Sequence, residues 1–279
     1  MIRIKYSQKN VKFVPTKKVT KKKKKRKRTI IEVKSPAETV IPKKKDIKVI
    51  QFLFGNIFRD KQKLHKELSK SVASFSIYDD VVTHFVLGKD NKNMLLEKGV
   101  AESKIILIDK KPFAIADNTS NFNKTFLMKC ASEVFPQDEL LYFDFDCYLV
   151  RKFDKDDIFK KLQEHKSDLQ APTVGYKTRR LRGFGDPPRK QKWGLMCCFV
   201  YCRDHDIIKR WYNNHLTKLY YESGSDEAAL LYTIEDLYGK LSMEEMYRFD
   251  TTIVATARRL KWTDAYSPEN YKKAYFFHR

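Results

Sequence analysis

From Asp46 onward the chain alternates short apolar runs with amphipathic stretches, and few architectures accept that order. Residues 47–54 (Ile-Lys-Val-Ile-Gln-Phe-Leu-Phe) read as a buried strand that stops at Gly55-Asn56. Residues 61–71 read as a helix, 81–87 as a second strand, 91–98 as a helix and 104–108 as a third strand. In 122–134, Phe122, Phe126 and Cys130 recur every fourth position, as do Leu127 and Ala131, giving one apolar helix face with Thr119 or Ser120 as N-cap. A fourth strand spans 140–143. Strands joined by helices pair in parallel, and a parallel sheet is covered on both faces. The expected class is therefore α/β, a mixed but mostly parallel sheet with helices on both faces.

Beyond Asp146, residues 147–150 read as renewed strand and 156–165 as a helix. A loop rich in glycine, proline and arginine spans 175–194, followed by an apolar strand at 195–201 and helices at 206–219 and 226–237. The last forty residues have no clear pattern, and no internal repeat is visible.

Charge divides the chain in two. Residues 1–45 carry 18 of the 57 Lys+Arg and only two of the 35 acids, including the unbroken run Lys21 to Arg28. Eight like charges in a row repel one another and cannot be buried, so the expected organisation is a disordered basic arm (1–45) before one folded domain (46–279). The arm is a nuclear-import signal, a nucleic-acid-binding segment or a solubilising tail. No stretch approaches the ~18 consecutive apolar residues of a membrane span, and the amino terminus lacks a signal peptide's apolar core. The expected location is the cytoplasm or nucleus. Five cysteines without repeated C-x-x-C spacing read as buried free thiols of a reducing compartment rather than a zinc site.

The residues richest in chemistry are Asp144 and Asp146, directly after four apolar strand residues. In open α/β sheets ligands sit beyond the carboxyl ends of the strands. On an extended backbone a spacing of two puts both carboxylates on one side and Phe145 on the other. Two carboxylates there suit a hard divalent cation able to neutralise a diphosphate. The bland alternative is a pair of solvated turn aspartates.

The order strand, helix, Phe126-Leu127-Met128-Lys129-Cys130-Ala131, then Leu140-Leu141-Tyr142-Phe143-Asp144-Phe145-Asp146, resembles the GT-A (Rossmann-like) glycosyltransferases, in which a hydrophobic strand ends in a D-x-D motif. Trp193 to Tyr201 is similar to the strand on the acceptor side of their cleft, and Ser225-Asp226-Glu227-Ala228-Ala229-Leu230 to the acidic opening of the helix behind the reacting sugar. The resemblance covers residues 46–250. It implies a nucleotide-sugar donor, a UDP-sugar first, and Mn²⁺ or Mg²⁺. Asp146 would ligate the metal, and Asp144 would meet the ribose or a metal-bound water. His278 would add a carboxy-terminal ligand, against the alternative of a frayed end. Phe54, Gly55 and Asn56 would lie along the base. Lys124 would meet a phosphate, or else belong to a solvated helix face. Asp226 or Glu227 would face the anomeric carbon as base or as charge stabiliser, against the alternative of a simple helix-opening acid.

Between Lys177 and Lys192, seven cations (Lys177, Arg179, Arg180, Arg182, Arg189, Lys190 and Lys192) accompany the single acid Asp186. One or two suffice for a diphosphate; seven, with the arm, fit a long polyanion. The combination resembles viral and kinetoplastid enzymes that glycosylate DNA bases, so the expected acceptor is a hydroxymethylated pyrimidine in DNA. The rivals are a glycan, lipid or protein acceptor, a metal-dependent nucleotidyltransferase, and a nucleic-acid-binding module without catalysis. A D-x-D-x-T/V phosphatase is disfavoured, because Tyr148 stands at the Thr/Val position.

Overall fold

The computed structural model describes residues 45–54, 61–75, 81–109, 120–149, 155–165, 167–181, 189–219, 226–239, 254–256 and 276–278. The expected basic arm lies outside them. The alternation expected from the sequence is present: β1 (Ile47–Leu53), α1 (Lys61–Phe75), β2 (Val82–Leu87), α2 (Lys89–Glu97), β3 (Ile105–Ile108), α3 (Ser120–Val134) and β4 (Glu139–Phe143). β5 (Cys147–Leu149), α4 (Lys155–Glu164), β6 (Leu169–Gln170), β7 (Thr173–Leu181), β8 (Arg189–Leu195), β9 (Phe199–Cys202), α5 (His205–Leu219) and α6 (Asp226–Tyr238) follow, then β10 (Val254–Thr256) and β11 (Phe276–His278).

The main sheet has the order β3-β2-β1-β4-β9-β6. β1 pairs in parallel with β2 and with β4, β2 pairs in parallel with β3, and only β9 runs against its neighbours β4 and β6. The chain therefore steps from β1 to one side, through β2 and β3, and then returns through α3 to add β4 on the other side. That reversal creates a crevice at the carboxyl ends of β1 and β4.

Alternate strand residues serve the two faces. On one, Leu53 and Val86 pack with Leu107, Leu64, Leu68 and Phe145 under α1, and Val49, Leu141 and Phe143 with Phe75, Ile158 and Leu162 under α1 and α4. On the other, Phe52 stacks on Tyr142 at 4.4 Å, and α3 covers β1 and β2 with α5 and α6 packed beside it. Each fully buried aromatic or aliphatic side chain contributes about 1.5–3 kcal/mol, and these rows fix the register.

Two expectations need correction. The stretch expected as an irregular loop, 175–194, contains an antiparallel hairpin of β7 and β8, with an irregularity between Gly175 and Arg179; residues 182–188 lie outside the described residues. Glycine and proline mark its middle, but cross-strand pairing organises the flanks. The apolar run expected as one strand, 195–201, is divided: Leu195 ends β8, Cys197 and Cys198 turn, and Phe199 opens β9. All seven residues are buried, so hydropathy alone cannot show the bend.

A second, small sheet has the order β10-β11-β5. The antiparallel pairing of β11 with β5 sets His278 opposite Cys147.

Candidate active site

Asp144 leaves the end of β4 at the crevice. Its amide donates to the Cys198 carbonyl (2.8 Å), and its own carbonyl accepts from the Cys147 amide (2.9 Å), which closes a tight turn over residues 144–147. The expected extended backbone is thus corrected to a turn. Phe145, 4% exposed, is the physical reason: it plugs into the cluster of Leu53, Leu64 and Leu68, and pins the turn between the two half-buried aspartates.

Lys124 of α3 is buried, which settles its position against the solvated-face alternative. Its ammonium stands 2.9 Å from Asp144 Oδ1, 3.1 Å from Asp226 Oδ2 and 3.1 Å from the carbonyl of Cys197. An ammonium has three donors, and here each has an acceptor. Burial alone would lower the Lys124 pKa; Asp144 and then Asp226 more than reverse this, and it stands well above its ordinary value. Two carboxylates and one cation are brought together from the consecutive elements α3 and β4 and from the distant α6.

Tyr142 completes the arrangement. Its hydroxyl donates to Asp144 Oδ1. Burial first, and then the Asp144 charge, hold its pKa well above the usual tyrosine value, so the phenol keeps its proton and remains a donor. The Tyr142 ring also lies 5.6 Å from the Lys124 ammonium. Asp226 is the first residue of α6 and is buried, while Glu227 is half-buried. The Trp211 indole N–H donates to the Asp226 carbonyl at 2.9 Å, tying the start of α6 to α5. The Cys197 thiol records the same concentration of charge: burial raises its pKa, Asp226, Glu227 and Asp144 raise it further, and Lys124 opposes them.

Beneath the turn, Gln51 Nε2 donates to Ser71 Oγ (2.9 Å) and more weakly to the Asp144 carbonyl (3.4 Å), and Ser71 Oγ donates to the Cys147 carbonyl (2.9 Å). The turn is therefore supported from α1 and β1 as well as from the turn that precedes β9.

The structure brings together Asp144, Asp226 and Lys124. Asp146 shares the turn, and His278 is placed by backbone register beside Cys147. Phe54 is buried at the end of β1; Gly55, Asn56 and Arg182 lie outside the described residues. Lys177, Arg179 and Arg180 lie on β7, and Arg189, Lys190 and Lys192 on β8. Sequence reasoning did not assign Tyr142, although its spacing of two from Asp144 on a strand end was a readable signal. Trp211, Gln51 and Ser71 act through contacts between distant elements, which no local pattern announces.

The residues present suit a hard cation: Asp144 and Asp146 offer oxygen donors. Both oxygens of Asp144 already lie near the donors of Lys124 and Tyr142. Among the described residues no group of three His, Cys, Asp or Glu side chains converges as a ready cage. No described helix is long and apolar enough to cross a membrane.

No family model matches the chain, and no curated protein matches it in sequence. Among solved structures, it is similar to a glycosyltransferase involved in glycosylation of the major capsid of PBCV-1 (TM-score 0.45, 14% identity, covering 84% of this chain and 93% of that one). Mouse xyloside xylosyltransferase 1, in its apo form, gives a TM-score of 0.45 at 12% identity, covering 84% of this chain and 97% of that one. The 4-diphosphocytidyl-2C-methyl-D-erythritol synthase of Anaerococcus prevotii gives 0.41 at 13% identity, covering 74% of this chain and 86% of that one.

Proposed function

We propose that this chain is a metal-dependent glycosyltransferase that takes its sugar from a nucleotide-sugar donor, a UDP-sugar first. The observation that carries the reading is the placement of Asp144 and Asp226 at the β1/β4 crevice, with Lys124 held between them. Asp146 would hold Mn²⁺ or Mg²⁺, with His278 as a further donor from the carboxy-terminal strand. When bound, the cation supplies positive charge that offsets the diphosphate leaving group.

The chain's own residues supply the rest. Asp144, oriented by Tyr142 and Lys124, would receive the ribose or a metal-bound water, and Phe54, Gly55 and Asn56 would follow the base. Lys124 contributes a fixed positive charge in a water-poor place, where electrostatic stabilisation is strongest. Asp226, or Glu227 beside it, would face the reacting carbon, as base in an inverting reaction or as charge stabiliser in a retaining one.

The test is release of UDP from UDP-sugars in the presence of Mn²⁺, by wild type and by Asp146→Ala. Wild type should turn over slowly without acceptor, and Asp146→Ala should not. Full turnover by Asp146→Ala would remove the reading.

A polyanionic acceptor, with a hydroxymethylated pyrimidine in DNA as the first candidate, is supported by the β7–β8 hairpin. Its register sets Arg180 opposite Lys190, with Arg179, Arg189 and Lys192 close by in the two strands. Like charges directly opposite are unfavourable in a hairpin, and a row of phosphates relieves them. α6, the helix that opens with Asp226, packs beside β8. Incubation of hydroxymethylated DNA with a panel of sugar nucleotides, followed by mass spectrometry of its nucleosides, should show a hexose or pentose adduct. Deleting residues 1–45 should weaken DNA binding in a salt-dependent manner while sparing UDP release. DNA affinity indifferent to both salt and truncation would overturn this acceptor.

A further inference from the structure

On the α1 face of the sheet, a polar row interrupts two apolar ones. Val49 and Val82 form the row below, and Leu53 and Val86 the row above; between them the register sets Gln51 directly beside His84. Over this row lies a cavity of about 210 Å³, roofed by Ser71, Val72 and Phe75 of α1 and flanked by Val100 and Ala101. For scale, an apolar cavity of about 150 Å³ holds one benzene. This is space for one small molecule.

Two of its polar walls carry atoms that no described residue engages. His84 is 8% exposed, and neither ring nitrogen has a hydrogen-bond partner among the described residues. Burial lowers its pKa to about 4, so near neutral pH the imidazole offers one donor and one acceptor. Gln51 is 2% exposed, and its amide orientation is set by the chain of donors: Nε2 gives to Ser71 Oγ, which gives to the Cys147 carbonyl. Its Oε1 is left without a partner among the described residues. These atoms are not among the fully enclosed unsatisfied ones; they belong to residues that line the cavity, where a small molecule can meet them. Val72, Phe75, Val82 and Val100 are apolar walls flanking this polar pair, and Lys104 stands among the other lining residues.

We propose that this cavity binds a compact, planar, neutral heteroaromatic lactam, of the pyridone or pyrimidinone type, whose adjacent N–H and C=O meet Gln51 and His84. Gln51 Oε1 accepts the ring N–H, and the imidazole N–H donates to the ring carbonyl. Such a ligand buries two flat faces between Val82 and the α1 side chains. Because Gln51 and Ser71 also hold the carbonyls of Asp144 and Cys147, occupancy reaches the Asp144–Cys147 turn and makes the cavity a regulatory site. Only that last effect on turnover rests on the glycosyltransferase reading; binding does not.

The experiment titrates the ¹⁵N-labelled full chain with 2-pyridone, and separately with benzene, without any sugar nucleotide. Saturable amide shifts are expected at Ser71, His84 and Val100, and at Cys147 across the hydrogen-bond chain. His84→Phe, which keeps a flat ring and removes both polar atoms, should weaken 2-pyridone about tenfold. Val72→Phe, at a half-buried roof position, should abolish the shifts by filling the space. Both variants are first checked for a cooperative unfolding transition, and either one alone suffices for the comparison. The proposal is overturned if 2-pyridone gives no saturable shift, as for a cavity that holds only ordered water. It is equally overturned if His84→Phe binds as well as wild type, or if benzene matches 2-pyridone. Failure here leaves the UDP-release test untouched, and the reverse holds as well.

Discussion

The Lys124 ammonium stands 3.1 Å from the Asp226 carboxylate, joining the second turn of the crossover helix α3 to the first residue of α6. Both residues are buried, and the same ammonium is 2.9 Å from Asp144. Removing one member of a buried charge cluster strands the others. Lys124→Met should therefore cost about 3–5 kcal/mol, read as a lower urea midpoint. Lys124→Met combined with Asp226→Asn should recover a large part of that loss, because fewer unpaired charges then remain inside. A double variant no more stable than Lys124→Met alone would show that the Lys124–Asp226 contact is not the stabilising one.

The Tyr142 hydroxyl donates to Asp144, so its deletion tests the orientation of that carboxylate. Tyr142→Phe keeps the ring stacked on Phe52 but removes the donor to Asp144 Oδ1. Partners that orient the carboxylates around a metal, including one that would hold a metal-bound water as Asp144 would, typically change metal affinity by about 10–100-fold. The expected result is an Mn²⁺ requirement raised by that factor, with turnover at saturating Mn²⁺ reduced much less. An unchanged Mn²⁺ dependence would place the cation away from Asp144.

The alternation of strands and helices up to β4 was legible because each apolar run is short, bounded and separated by a single helix. The acid pair was legible as a site because it follows the fourth strand, and the sheet order then places that strand at the crevice. The turn was not legible. A spacing of two reads as extended backbone unless the burial of Phe145 among residues of β1 and α1 is known. Lys124 was open for the same reason: a lone lysine on an amphipathic helix gives no hint that two acids from elsewhere meet it. Hydropathy also missed the break at Cys197 and Cys198, whose carbonyls serve Lys124 and Asp144 while their side chains remain in the core.

All five cysteines are free and buried. Burial pushes the Cys130 thiol up to about 12 and raises the thiols of Cys147, Cys197 and Cys202 well above the ordinary range. The thiolate is the reactive form, so at pH 8 the native protein should resist an alkylating reagent. All five should react once urea unfolds the chain, as mass spectrometry of intact protein would show. Rapid labelling of any one of them under native conditions would contradict its burial.

His84 should make the folded protein acid-sensitive. Its pKa falls from 6.5 to about 4 through burial. The folded state therefore disfavours the protonated ring, whereas the unfolded chain binds that proton freely. This contribution to stability is complete above about pH 6.5 and is lost as the pH falls toward 4. A shift of this size corresponds to on the order of 3 kcal/mol. Besides His84, the only ionisable side chain among the cavity's lining residues is Lys104. Urea unfolding between pH 7 and pH 4 should show wild type losing stability more steeply than His84→Phe. Carboxylates elsewhere contribute the slope that the two proteins share, and identical slopes would mean that His84 takes up its proton without opening the fold.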